Sequence, residues 1–179
     1  MAPLATARAL LSGSSAASLG LRSALAHLWF ALNFFLAIPA LLLYATGTGL
    51  RPPPGALALL GAAVIALAHL ALLWLVVAFV RTGRGTQLPL DPPRELVLRG
   101  PYRWIRNPMY LLYTAIVLGE AILYRSPALL VYTGGFWLLT HLYVVGVEER
   151  TLKRRFGATY ADYCRRAGRW LPRLRSSGP

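Results

Sequence analysis

The chain has 179 residues, 56% of them hydrophobic and only 14% charged, and its 19 Lys and Arg face six Asp and Glu for a net charge of +13. A soluble domain carries about 25% charged residues, so the long uncharged runs exclude an ordinary soluble fold. They also turn the high pI toward anionic lipid and away from nucleic acid. One cysteine, Cys164, excludes an intramolecular disulfide and a cysteine-built metal site.

Residues 1–22 hold two arginines, no acid, and many Ala, Ser and Leu. That composition fits an organellar transit peptide or an unstructured alanine-rich tail. We expect a flexible tail here, one membrane-embedded domain over 23–173, and a short disordered tail over 174–179.

The run from Ser23 to Leu50 has no formal charge and is long enough for a first spanning helix. Trp29 and Tyr44 stand near its ends as interfacial anchors. Asn33 is its lone polar group and needs a partner on a neighbouring helix or on its own backbone. GTGLRPPP, Gly47 to Pro54, is a turn, because three consecutive prolines cannot continue a helix. Gly55 to Val80 is the second span. Gly61 and the small residues near it allow close helix contact. His69 lies near mid-membrane, where a hydrogen bond to a neighbouring helix is its simplest role.

Arg81 to Asn107 has six arginines and reads as a loop. Its GRG at Gly83 to Gly85 lacks the Lys-Ser/Thr ending of a phosphate loop. Glu95 to Arg99 is expected to be a short extended piece. Met109 to Tyr124 is apolar except for Glu120 and is short for a full crossing. Arg125, Ser126 and Pro127 form a tight turn, with Ser126 as helix cap and Pro127 as first helical residue. Ala128 to Val147 is the last span. The third and fourth spans are then a hairpin that returns the NPMY and EE segments to the same side of the membrane.

The chain is thus expected to be an all-α polytopic membrane protein of about four transmembrane helices. The 81–107 loop carries six arginines, and the segment after Glu149 carries eight Arg and one Lys. The other two connections have only Arg51 and Arg125. The positive-inside rule places both termini and the central loop in the cytoplasm, as in a multi-pass protein of a bacterial inner membrane. Beyond the last span, Leu152, Phe156, Tyr160 and Tyr163 recur at helical spacing among basic residues. They predict a C-terminal amphipathic helix at the interface, weakened at Gly157 and ended by Gly168 and Pro172.

Three polar clusters converge on the cytoplasmic side. One is Tyr102, Arg103, Arg106, Asn107 and Tyr110. The second is His141 with Glu148 and Glu149. The third is Tyr160, Tyr163, Arg169 and Trp170. Glu148 lies seven positions after His141, on the same helix face. Two adjacent carboxylates at a membrane boundary need cationic or donor partners, and Arg103 and Arg106 are the candidates. No metal is expected, since a third or fourth ligand at workable spacing is missing. The cluster instead offers carboxylates for hydroxyls and an ammonium, arginines for a carboxylate, and aromatics for a flat ring.

The blocks GPYRWIRNPMY (Gly100 to Tyr110) and HLYVVGVEERTLKRRFGATYADYCRRAGRWLP (His141 to Pro172) resemble the isoprenylcysteine carboxyl methyltransferase and phospholipid methyltransferase superfamily. The resemblance covers roughly residues 80–173. It implies an integral membrane enzyme that uses S-adenosylmethionine, held between the last helices and the C-terminal segment, with a hydrophobic acceptor entering from the bilayer. Carried onto this chain, it implies a cofactor site of Tyr102, Arg103, Arg106, Asn107, Tyr110, His141, Glu148, Glu149, Tyr160 and Tyr163. Glu148, Arg106 and Asn107 are its catalytic candidates. Glu148 and Glu149 would face the ribose hydroxyls and ammonium, and His141 and the first block the adenine and carboxylate ends.

Two departures matter. RNP at Arg106 to Pro108 replaces the RHP of eukaryotic carboxyl methyltransferases, and Leu142 to Val147 lacks the arginines those enzymes carry before the acidic pair. Both weaken a prenylcysteine carboxylate as acceptor and leave a lipid amine, a thiol or another hydrophobic acceptor open. The competing readings are a non-catalytic membrane adaptor with a degenerate pocket, and a transporter subunit. A transporter would align polar residues through the bilayer, whereas only Asn33, His69 and His141 are clearly polar and deep. Expected partners are the lipid bilayer and the acceptor, with no nucleic acid. Homodimerisation is left open.

Overall fold

The shortest apolar helix is the most enclosed one. A computed structural model describes residues 21, 24–25, 28–83, 96 and 98–173. Three of its helices are long and apolar enough to cross a bilayer: α1 (Leu28–Ala45), α2 (Ala56–Gly83, apolar through Ala78) and the 40-residue run Pro127–Arg166. The fourth, α3 (Pro108–Tyr124), is 17 residues long, or about 25 Å against a hydrocarbon core of about 30 Å. It packs against α2 and α4 and buries Met109, Tyr113, Ile116, Val117, Glu120 and Ala121. A helix shielded by protein need not match the bilayer thickness, because its ends need not be satisfied in lipid. The chain is an all-α polytopic membrane protein, with no strand among the described residues.

The expected boundaries shift in instructive ways. α1 stops at Ala45, five residues before Leu50, because Gly47 and Gly49 take positive φ and turn the chain. α2 continues to Gly83, so the following loop starts later than expected. The rest of that loop through Glu95, the 1–20 tail and residues 174–179 lie outside the described residues. Ser126 Oγ accepts from the Leu129 amide at 3.4 Å and Pro127 is the first residue of α4, so the α3–α4 turn is built as expected. At the same end the Arg125 guanidinium donates to the Pro54 carbonyl at 3.1 Å and ties the two short connections together.

Two glycines set the α2–α3 crossing. A Cβ on Gly61 would sit 2.5 Å from the Leu123 nitrogen and 2.7 Å from the Gly119 oxygen. One on Gly119 would meet Ile65 Cγ1 at 2.7 Å. The backbones touch where no side chain fits, which is how helices gain contact in lipid.

α1 contains a π-turn over Leu32–Ala37, closed by the Ile38 amide on the Asn33 carbonyl. In that register the Phe34 carbonyl should accept from residue 39, which is proline and has no N–H. The Tyr132 hydroxyl of α4 donates to it at 3.0 Å instead. Around this point Phe30 stacks on Phe34 and Tyr113, with ring centroids 4.5 and 4.6 Å apart, and meets Phe136 edge-on. The two deep polar residues are satisfied locally. Asn33 donates to Trp29 O at 2.8 Å, and His69 Nδ1 donates to Ile65 O at 2.9 Å. His69 therefore bonds its own helix, not a neighbour.

α4 (Pro127–Tyr143) does not end where the polar surface begins. A π-turn over Val144–Glu148 joins it to α5 (Glu149–Arg166) without a break in the helix. The apolar run of the crossing ends at Val147, and the charged remainder lies beyond it. Inside α5, Gly157 has φ 48° and ψ −121°, which is glycine territory, and the helix changes direction there. Past this bend Tyr160, Tyr163 and Ala167 pack with Leu96, Leu98, Leu152 and Phe156.

Candidate active site

Where α3 begins, the chain arrives through a 3₁₀ turn, Gly100–Arg103, and then forms a single parallel bridge between Ile105 and Gly168. Beside it runs the segment that follows α5. The Arg106 amide donates to Gly168 O at 2.8 Å and the Gly168 amide to Trp104 O at 3.0 Å. The Asn107 amide side chain adds a bond to Arg169 O at 3.1 Å, and the Tyr163 hydroxyl one to Tyr102 O at 2.7 Å. This clasp closes over the ends of α3 and α4 and positions the two acids.

Glu149 is clamped. Arg169 Nε and Nη2 donate to its two oxygens at 2.7 and 3.0 Å, a bidentate fork. Arg106 Nη1 lies 3.3 Å from Oε1, with both side chains nearly buried. Burial by itself would raise the Glu149 carboxyl. The Arg169 hydrogen bond and the charges of Arg106, Arg169 and Lys153 overcome it and hold the group below its ordinary range. The same hydrogen bond raises the Arg169 guanidinium.

Glu148 has different company. Its Oε2 accepts from the Tyr110 hydroxyl at 2.9 Å, and no cation pairs with it among the described residues. Burial pushes its carboxyl up, against the pull of the Tyr110 hydrogen bond, and the adjacent Glu149 charge adds to the rise. Neighbours in sequence are thus made chemically unlike: one fixed as a carboxylate, the other inclined to hold a proton. The π-turn makes this possible. Its extra residue, marked by the Glu149 amide bonding back to Val144 O, re-aims the acids relative to His141, a common use of π-turns at functional sites.

Arg106 also donates to Tyr160 Oη at 3.4 Å and to Cys164 Sγ at 2.6 Å, while its Nε is buried with no partner. Burial raises the Tyr160 and Tyr163 phenols, so both remain hydroxyl donors. Beside the clasp, Trp170 Nε1 donates to His141 Nδ1 at 2.9 Å. His141 stacks on Trp137 at 5.3 Å, and the Trp137 and Trp170 rings lie 6.2 Å apart.

The structure brings together Arg106, Asn107, Tyr110, Glu148, Glu149, Tyr160 and, through Trp170, His141. Tyr102 and Tyr163 form the clasp behind them. Arg103 stands apart, exposed and lying over the Trp104 ring at 5.6 Å, so the second cation on the acids is Arg169 and not Arg103. The Cys164 contact and the Trp137 ring were not singled out by the sequence. Trp137 is four positions before His141 on one helix, a spacing that pairs side chains. Cys164 carried no such signal. No group of three or more metal-ligating side chains occurs among the described residues.

A helical membrane bundle with an acid pair enclosed at one mouth is the class of protein these features define. Residues 56–159 match the phospholipid methyltransferase family model. The chain belongs to that family and is, at that level, a membrane methyltransferase. The matched region contains Arg106, Asn107, Tyr110, His141 and both acids, while Tyr160, Tyr163, Arg169 and Trp170 lie just beyond it. No curated protein and no solved structure matches the chain.

Proposed function

We propose that the chain methylates a membrane-borne nucleophile with S-adenosylmethionine at the mouth between α3, α4 and the clasp. The observation that carries this reading is the unequal acid pair. Glu149 is neutralised by Arg106 and Arg169, which leaves Glu148 beside Tyr110 as a carboxyl without a cation among the described residues.

The residues present fit the cofactor. Glu148 suits an ammonium or hydroxyl donor, the unpartnered Nε of Arg106 suits a carboxylate, and the Trp137, His141 and Trp170 rings suit a flat base. When bound, S-adenosylmethionine supplies an electrophilic methyl group on a sulfonium. The chain's own residues then orient and exclude water, since displacement at a sulfonium needs alignment and a dry site. Glu148, raised by burial, is suited to take a proton from an amine acceptor, and Tyr110 steadies the carboxylate that precedes this transfer. Arg106 and Asn107 act by position: one holds Glu149, the other pins the clasp. Arg169 and Arg106 Nη1 are engaged by Glu149 and Arg106 Nε is assigned to the cofactor's carboxylate, so an amine or another acceptor without a negative charge suits the mouth better than a carboxylate does. The distribution of arginines supports a cytoplasmic mouth with both termini on that side.

The test is calorimetric titration of the detergent-purified protein with S-adenosylhomocysteine beside Glu148→Ala. Micromolar binding that the variant loses supports the reading. No binding by folded protein with lipid restored favours a non-catalytic adaptor.

A further inference from the structure

Beyond the site, the outer face of α5 is exposed. Arg150, Lys153, Arg154 and Arg155 are exposed, as are Arg165 and Arg166 past the bend. Arg150, Lys153 and Arg154 follow at three- and four-residue spacing and so share one stripe. The carboxylates described at this end are spoken for elsewhere. Glu149 is inside the clamp, Glu148 is on Tyr110, and Asp162 pairs with Arg165. No ion pair reaches Arg150, Lys153, Arg154 or Arg155 among the described residues.

Position decides what these charges meet. They begin three residues after Val147, the last residue of the apolar run. At 1.5 Å per residue they lie roughly 5 to 12 Å beyond the hydrocarbon edge, while the headgroup layer is about 5 to 7 Å deep on each side. Long basic side chains at that depth reach lipid phosphates. Trp104, 56% exposed, and Leu171, 76% exposed, lie at the same end of the molecule and add an interfacial anchor.

We propose that the Arg150–Arg155 face of α5 is a docking surface for anionic phospholipid headgroups of the membrane the chain spans. The surface does not depend on the chemistry assigned to the acid pair. Full-length protein in neutral detergent is to be offered equal amounts of phosphatidylglycerol and phosphatidylcholine, and the retained lipid read by native mass spectrometry. Wild type should retain phosphatidylglycerol several-fold over phosphatidylcholine. High salt and the variant Lys153→Gln/Arg154→Gln/Arg155→Gln should both erase the preference, while Arg51→Gln at the opposite end keeps it. Equal retention by wild type, or a preference that survives both salt and the triple variant, overturns the proposal. Displacement of bound phosphatidylglycerol by an equimolar RNA oligonucleotide overturns it too. Should the triple variant fail to fold, the salt titration of wild type and Lys153→Gln alone carry the decision.

Discussion

The Tyr110 hydroxyl of α3 meets the Glu148 carboxylate of the α4–α5 helix at 2.9 Å across 38 residues of sequence. That bond is the hairpin written as one contact. It makes the phenol a direct control on the acid. Tyr110→Phe removes a hydrogen bond that lowers the carboxyl and should weaken S-adenosylhomocysteine binding about tenfold, the value of one charge-assisted hydrogen bond. Calorimetry of the variant beside wild type measures it.

Arg169→Ala should weaken the same binding by tenfold or more, because Glu149 then keeps only the 3.3 Å contact to Arg106. The variant should also be less stable by about 1.5–3 kcal/mol, the range for a hydrogen bond to a charged group, read as a lower melting temperature. Arg169→Lys restores charge but not the fork and should recover melting temperature more than binding.

The two acids should impose opposite pH slopes on stability. Glu149 is depressed in the folded state. Its contribution is fully present above the unfolded carboxyl value of about 4.3 and is lost as pH falls through the lower folded value. Glu148 is raised. It costs nothing below about 4.3 and destabilises as pH climbs through its folded value. Glu149→Gln should therefore flatten the acid limb of a melting-temperature profile, and Glu148→Gln should lift its neutral limb. Identical profiles for the two variants would contradict the division of roles.

Gly61→Ala drives a methyl group into the Leu123 and Gly119 backbones. It should cost about 1–3 kcal/mol, as overpacking does, and should reduce the monodisperse fraction on size exclusion. Gly134→Ala adds the same atom where nothing lies within 4 Å, and should leave the fold intact or slightly firmer.

Tyr132→Phe deletes the donor that replaces the missing amide of Pro39 on the Phe34 carbonyl. A loss of about 1 kcal/mol is expected, read as a lower melting temperature, with cofactor binding unchanged because the site is at the other end of α4.

The spans and the hairpin were legible because uncharged runs, prolines and an Asx/Ser-type cap report directly on helix limits. Ser126–Pro127 placed the turn, and Gly61 marked the close crossing. The partners of the acids were less legible. Arg103 and Arg106 are equally near in sequence, but the 3₁₀ turn at Gly100–Arg103 throws Arg103 onto Trp104 and delivers Arg106 to Glu149. The π-turn at Val144–Glu148 has no sequence signature, and a plain 3.6-residue count misjudges the direction of both acids past it. The bend at Gly157 was visible only as a weak helix former, because composition does not say whether a glycine is tolerated or used.

The clasp also couples burial of the acid to docking of a distant segment. Glu149 and its bidentate partner Arg169 are 20 residues apart, on either side of the Gly157 bend. A carboxylate enclosed without that guanidinium would cost several kcal/mol, so Glu149 is enclosed at low cost only where residues 168–170 lie beside Trp104–Asn107. The acid pair is thus completed by a segment that follows the last membrane crossing.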